Sequence, residues 1–367
     1  MTTRVLLFGG AAALIALAAI AALLSFLSWG KAMYRPGDLR AKAEKGLIDL
    51  KPFGKIEWGR RRADGTAEFR LEVERGIVLA GFRRGEGRPA IVIFGGPGYP
   101  SNEAWRGLGA FEASTSFYYY HQRGSGLSTR PVDRFATGSY PAKVAALEAK
   151  LGLAQQIADV ERLRRAIGVE RIDLVGHSFG GFIAALYAIE FPDHAGKLLL
   201  IAPAEVVAMP QKDGGLYEEV RRLLPESERA PYGAWLRDFF DYGRIFLRGE
   251  EDQRRINAGF IPFYEAACAA KGTPNEAIGG TDPALVGGWM MEAIFFSMGR
   301  SHDYSAALSR IAAPTTMVFG TEDTGGAAMF DQYGVISGLR KVPLPGGDHF
   351  IADDAVRFPE AVAAFFE

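Results

Sequence analysis

From residue 67 the chain alternates: Ala67, Phe69, Leu71 and Val73 are separated by Glu68, Arg70 and Glu72. A period of two predicts a half-buried strand, and a second one at 77–82 follows closely enough to pair with it antiparallel. The pattern then changes. Positions 90–94 are continuously apolar and run into glycines, as a central strand covered on both faces does. Similar runs at 116–120, 172–175, 197–202 and 315–319 predict further buried strands. Between them, Val144, Leu147, Leu151, Ile157, Val160, Leu163 and Ile167 recur at helical spacing. A second, apolar helix at 182–191 ends at Pro192. Strands alternating with helices predict an α/β fold, with a mainly parallel sheet covered on both faces. From 204 to 313 the alternation stops, and helical patterns, aromatics and acidic residues appear with no convincing strand. That stretch lies between two sheet strands, so it reads as an inserted helical cap.

The N-terminus differs in kind. Residues 5–30 carry no charge and are mostly Ala, Leu, Ile and Phe. About 20 apolar residues suffice to cross a bilayer as a helix, whereas a secretory signal has a core of roughly 7–15 and a small-residue cleavage site. The run reads as an uncleaved, single-pass N-terminal transmembrane helix. Its orientation stays open. Lys31, Arg35, Arg40, Lys42 and Lys45 follow it and only Arg4 precedes it, which favours a cytoplasmic location for the domain that follows; an exported domain behind a signal-anchor would face the other way. The expected organisation is an anchor at 5–30, a juxtamembrane linker at 31–59, core segments at 60–203 and 314–367, and the cap at 204–313.

Composition adds little to this. The 42 basic and 43 acidic side chains nearly cancel, so no global field attracts nucleic acid. The single cysteine, Cys268, lies in an apolar helical run and reads as structural. No cofactor fingerprint or metal-ligand spacing is visible, and none is expected.

The chemistry is concentrated in a few loops. Gly176-His177-Ser178-Phe179-Gly180 fits the nucleophile-elbow pattern, and it stands between a predicted strand and a predicted helix. The turn is so sharp that larger neighbours at Gly176 and Gly180 would clash. It presents Ser178 at a helix N-terminus, where free amides favour negative charge. Serine needs a base. Of five histidines, His349 is the one on a late, glycine-flanked loop, while His177 is expected to point away from the base position. Asp323 directly follows the 315–319 strand and is the expected partner of His349, with Glu322, Asp348 and Glu205 as alternatives. The amide of Phe179 and that of Gly96, in the loop Gly95-Gly96-Pro97-Gly98, are the expected oxyanion donors.

With these residues assembled, the chain resembles the prolyl iminopeptidase family of α/β-hydrolases. Gly95-Gly96-Pro97-Gly98 is similar to the end of that family's H-G-G-P-G loop, and Gln122-Arg123-Gly124-Ser125-Gly126 with Ser128 to its D-Q-R-G-S-G-x-S segment. Phe94 and His121 stand where the family has histidine and aspartate, and the elbow is of a generic hydrolase form. The resemblance implies an α/β-hydrolase fold and an aminopeptidase working through an acyl-enzyme. It also implies that Glu265 and Glu292 in the cap bind the free amino terminus of a peptide. The alternative is a membrane-anchored esterase or amidase acting on a small or lipid-like acyl substrate.

Overall fold

The computed structural model describes residues 32–211, 214–273, 281–325 and 327–367. Nine strands form one sheet: β1 (Glu57–Arg61), β2 (Ala67–Glu74), β3 (Ile77–Arg84), β4 (Arg88–Ile93), β5 (Thr115–Tyr120), β6 (Ile172–His177), β7 (Ala195–Ile201), β10 (Thr315–Gly320) and β11 (Arg340–Leu344). Their spatial order is β1-β2-β3-β5-β4-β6-β7-β10-β11. The alternating strands β1, β2 and β3 pair antiparallel, as does β3 with β5. Every pairing from β5 to β11 is parallel. The continuous apolar runs are therefore the parallel strands, buried on both faces.

Alternate side chains serve the two faces. Ile91, Ile93 and Leu174 belong to one core cluster, with Phe182, Ile183 and Leu186 of the elbow helix. Val92, Val175, Leu199, Ile201 and Val318 belong to the other, under Phe358, Val362 and Phe365. The helices in chain order are α1 (Asp38–Glu44), α2 (Tyr140–Leu151), α3 (Leu153–Ile167) and α4 (Phe179–Glu190). The insertion contributes α5 (Gly215–Leu223), α6 (Glu226–Phe239), α7 (Glu250–Ala258), α8 (Ile261–Lys271) and α9 (Trp289–Met298). It also holds the short α10 (Ser305–Leu308), and the C-terminal α11 (Arg357–Phe366) follows it.

Three expectations need correction. The helix at 143–167 is two helices, because the chain leaves helical geometry at Gly152 (ψ 171°). The insertion is not free of strand: Ala208–Met209 (β8) pairs with His302–Asp303 (β9) and ties its two ends together. The stretch at 31–59 is not a bare linker. The buried carboxylate of Glu190 accepts hydrogen bonds from the Tyr34 hydroxyl (2.6 Å) and the Gly37 and Arg40 amides (2.7 and 3.1 Å), fastening α1 to the end of α4. The same stretch already contains most of β1. Among the described residues no helix is long and apolar enough to cross a membrane. The predicted anchor at 5–30 lies outside them.

Candidate active site

Parallel strands bring their C-terminal ends to one edge of the sheet, where loops can converge. Four of the predicted loops leave from there: Gly95-Gly96 after β4, Ser178 after β6, Asp323 after β10 and His349 after β11. Register sets the first two together, since Ile93 pairs with Gly176.

Ser178 has φ 53° and ψ −122°, a strained conformation for a residue with a side chain, and it caps the start of α4. Sterics explain the surrounding glycines. A Cβ on Gly180 would lie 2.1 Å from the Ile93 carbonyl oxygen, and one on Gly176 2.4 Å from the Gly180 oxygen. A Cβ on Gly95 would lie 2.7 Å from the Ser178 Cβ, so this loop is pressed against the serine. Phe179 is the first residue of α4, so its amide is one of the leading N–H groups without an intrahelical acceptor.

Asp323 is 1% exposed. One of its oxygens lies 2.7 Å from His349 Nδ1, and the other accepts the Gly325 amide at 2.9 Å. Burial pushes the His349 imidazole towards the neutral form. The charge and hydrogen bond of Asp323 push harder the other way, and the net shift is upward. Neither Glu322 nor Asp348 replaces Asp323: Glu322 is exposed, and Asp348 accepts the Phe350 amide. Among the described residues no hydrogen bond joins Ser178 Oγ to His349; in unliganded sites that contact is often long and closes with substrate bound.

Ser178, His349, Gly95 and Gly96 line one cavity of about 860 Å³ between the sheet edge and the cap. Its cap side carries Tyr217, Trp235, Phe239, Asn257, Phe260 and Tyr264. Its rim carries the carboxylates of Glu103, Asp282, Asp348, Asp353 and Asp354 against the guanidiniums of Arg106 and Arg357. Neither Glu265 nor Glu292 is among the lining residues, although their neighbours Tyr264 and Met291 are. Glu265 is half-buried. Glu292 is 1% exposed, its carboxyl oxygens meet no hydrogen-bond partner among the described residues, and burial pushes its pKa up to about 8.

His177 does not point away from the base. Its Nε2–H donates to the carbonyl of His349 at 2.8 Å, and the two rings lie 4.7 Å apart. Burial holds its pKa down at about 3, so it stays neutral and clamps the loop that carries His349. Nothing in sequence spacing signals a contact between residues 172 positions apart.

Arg123 turns into the core rather than the cavity. It meets Asp159 through two 2.6 Å bonds and Glu74 at 3.0 Å, holding the loop that begins at Gln122. His121 accepts the Leu127 amide through Nδ1 and donates from Nε2 to the Ser101 carbonyl. Its ring and that of Phe94 lie 6.4 Å apart, a neutral support beneath the glycine loop. Cys268 is buried with Sγ 3.2 Å from Thr324 Oγ1, a packing position. Among the described residues no group of three or more His, Cys, Asp or Glu could hold a metal ion.

Comparison with known proteins agrees with this architecture. The α/β-hydrolase fold family model matches residues 89–354. A 2-hydroxymuconate semialdehyde hydrolase of Pseudomonas putida is 28% identical over 229 residues, which is 58% of this chain and 70% of that protein. A proline iminopeptidase of Xanthomonas citri is 28% identical over 141 residues, 38% of this chain, and the match spans only 40% of that protein's length. Among solved structures, an esterase of Rhodococcus sp. shares the fold with a TM-score of 0.53 and 19% identity, over 85% of this chain and 98% of that one. The family model covers well over half of the sequence, and the chain belongs to the α/β-hydrolase fold family, as a hydrolase.

Proposed function

We propose that this protein is a serine hydrolase working through an acyl-enzyme, and that it is an aminopeptidase of prolyl iminopeptidase type. The observation that carries the first statement is Ser178 on its strained turn, facing the same cavity as an imidazole already oriented by Asp323. Ser178 Oγ attacks the carbonyl carbon as His349 takes its proton. The Phe179 and Gly96 amides stabilise the oxyanion, and His349 then protonates the departing group. Water, deprotonated by His349, releases the acid and restores Ser178.

The aminopeptidase reading is supported by the excess of carboxylates around the cavity, which suits a substrate carrying a free amine, and by the aromatic wall, which suits a proline ring or another apolar residue. Similarity to a proline iminopeptidase points the same way. The uncharged run at 5–30 supports a tether to a membrane, with a peptide or small acyl compound as substrate and no nucleic-acid partner. The esterase or amidase reading is favoured by one observation: Glu265 and Glu292 lie behind the cavity wall rather than on it.

The two readings part on one comparison. Purified enzyme is expected to cleave prolyl or alanyl arylamides, to lose that activity when the amine is acetylated, and to prefer them to a short acyl ester. Equal rates on the blocked amine, or turnover of the ester alone, refute the aminopeptidase reading and leave the serine mechanism standing.

The pH profile tests the base. His349 must be neutral to accept a proton, and its pKa lies above the ordinary 6.5. Activity is therefore expected to fall as pH drops through a midpoint above 6.5, and Asp323→Asn should move that limb to lower pH. An acid limb at or below 6.5 in the unmodified enzyme contradicts this assignment.

A further inference from the structure

Several buried side-chain polar atoms have no hydrogen-bond partner among the described residues, including Gln253 Nε2, Asn257 Oδ1 and both carboxyl oxygens of Glu292. Of the full set, Asn257 alone also lines the catalytic cavity. It is fully buried on α7. Its Nδ2 donates to the carbonyls of Gly287 at 2.8 Å and Gly288 at 3.1 Å. That pair fixes the orientation of the amide, because turning it over would set Oδ1 against two carbonyl oxygens. Oδ1 is thereby left as an acceptor with no donor.

The position is tied to the oxyanion loop from two directions. The Tyr99 hydroxyl donates to the Asn257 main-chain carbonyl at 2.5 Å, and the Gly287 amide donates to the Gly98 carbonyl at 2.8 Å. Asn257 thus stands where the cap meets Gly95–Tyr99, on the wall of the cavity that Ser178 also lines. A buried acceptor left without a donor destabilises the free protein, and a bound donor removes that cost.

We propose that Asn257 Oδ1 accepts a hydrogen bond from the substrate, and that the substrate class is an acyl compound carrying a hydroxyl or amine donor close to its scissile carbonyl. The inference rests on the reading of Ser178 as nucleophile but not on the aminopeptidase reading, since a hydroxyl serves as well as an amine.

The test uses the full-length enzyme and pairs of aryl esters. Each pair has a hydroxyl at C2, C3 or C4 of the acyl chain in one member and its methyl ether in the other. In the unmodified enzyme at least one pair is expected to favour the hydroxyl about tenfold or more in kcat/KM. Asn257→Ala should bring that ratio close to one, and the ratio within a pair cancels any loss of rate common to both members. Asn257→Ser, which retains a donor of shorter reach, gives the same reading should the alanine variant fail to fold. No preference in any pair, or a preference that survives both substitutions, overturns the proposal. Loss of all turnover in Ser178→Ala with the preference present in the parent upholds both readings; turnover surviving in Ser178→Ala strikes the nucleophile instead.

Discussion

Ser178→Ala is expected to lower kcat on every acyl substrate by roughly 10⁴–10⁶-fold, the range seen when the nucleophile of a serine triad is removed. The reason is local. No other hydroxyl stands on the turn between β6 and α4, and His349 is already held by Asp323 and His177. Asp323→Asn should cost about 10⁴-fold by leaving His349 in the wrong tautomer. Stability separates a catalytic loss from a folding loss. Alanine at 178 keeps the same strain at φ 53°, so the melting temperature should hardly move. Ser178→Gly should be equally inactive yet more stable, because glycine adopts positive φ without that strain, which is worth about 1–3 kcal/mol. If Ser178→Ala retains more than a hundredth of the parental kcat, another residue is the nucleophile. If Ser178→Gly melts lower than Ser178→Ala, the strained turn is not as described.

Much of this geometry was legible in the chain, for a physical reason. Strands buried on both faces must be continuously apolar, so β4, β6, β7 and β10 announce themselves, and Gly95, Ser178 and Asp323 lie within three residues of the ends of β4, β6 and β10. Ser178, Asp323 and His349 are expected to come together, and Ser178 and His349 do line one cavity, with Asp323 2.7 Å from His349 Nδ1. Elements with weak burial could not. All five residues of β1 are exposed, and β11 begins with exposed Arg340 and Lys341, so neither shows an apolar run or a clean alternation. The two-residue strands β8 and β9 are too short to show any period. In the cap the limit was one of phase. Neighbouring residues on a helix point about 100° apart. Matching short motifs found the helices of Glu265 and Glu292, yet Tyr264 and Met291 are the ones that line the cavity. Contacts made across the fold, such as His177 to His349 and Tyr99 to Asn257, leave no trace in local spacing.

Glu292→Gln is expected to stabilise the protein at alkaline pH and to do little at acid pH. Glu292 is surrounded by apolar and phenolic groups; its charge bears on Tyr140, Tyr217 and Tyr242, and Arg248 is the counter-charge within range. With its pKa pushed up to about 8 against 4.5 ordinarily, the folded protein keeps a proton that the unfolded chain releases. Between those two pH values the folded state binds more protons, so stability falls as pH rises through the window and levels off above about 8. At about 1.4 kcal/mol per pH unit, the total reaches the order of a few kcal/mol. Glutamine has the shape of the neutral acid and no proton to lose. Melting curves of the two proteins should therefore nearly coincide near pH 5 and separate by pH 8, with the Gln variant higher. A variant that melts lower at pH 8 would mean that Glu292 is ionised and paired in the fold. The aminopeptidase reading makes a separate prediction for the same residue. An ammonium reaching it would draw the carboxyl back to its charged form, so binding of an amine-bearing product such as proline near pH 7 should release a proton to buffer. Calorimetry in two buffers of different ionisation enthalpy reads that proton directly, and binding without it, identical in Glu292→Gln, would remove Glu292 from amine recognition while leaving its effect on stability intact.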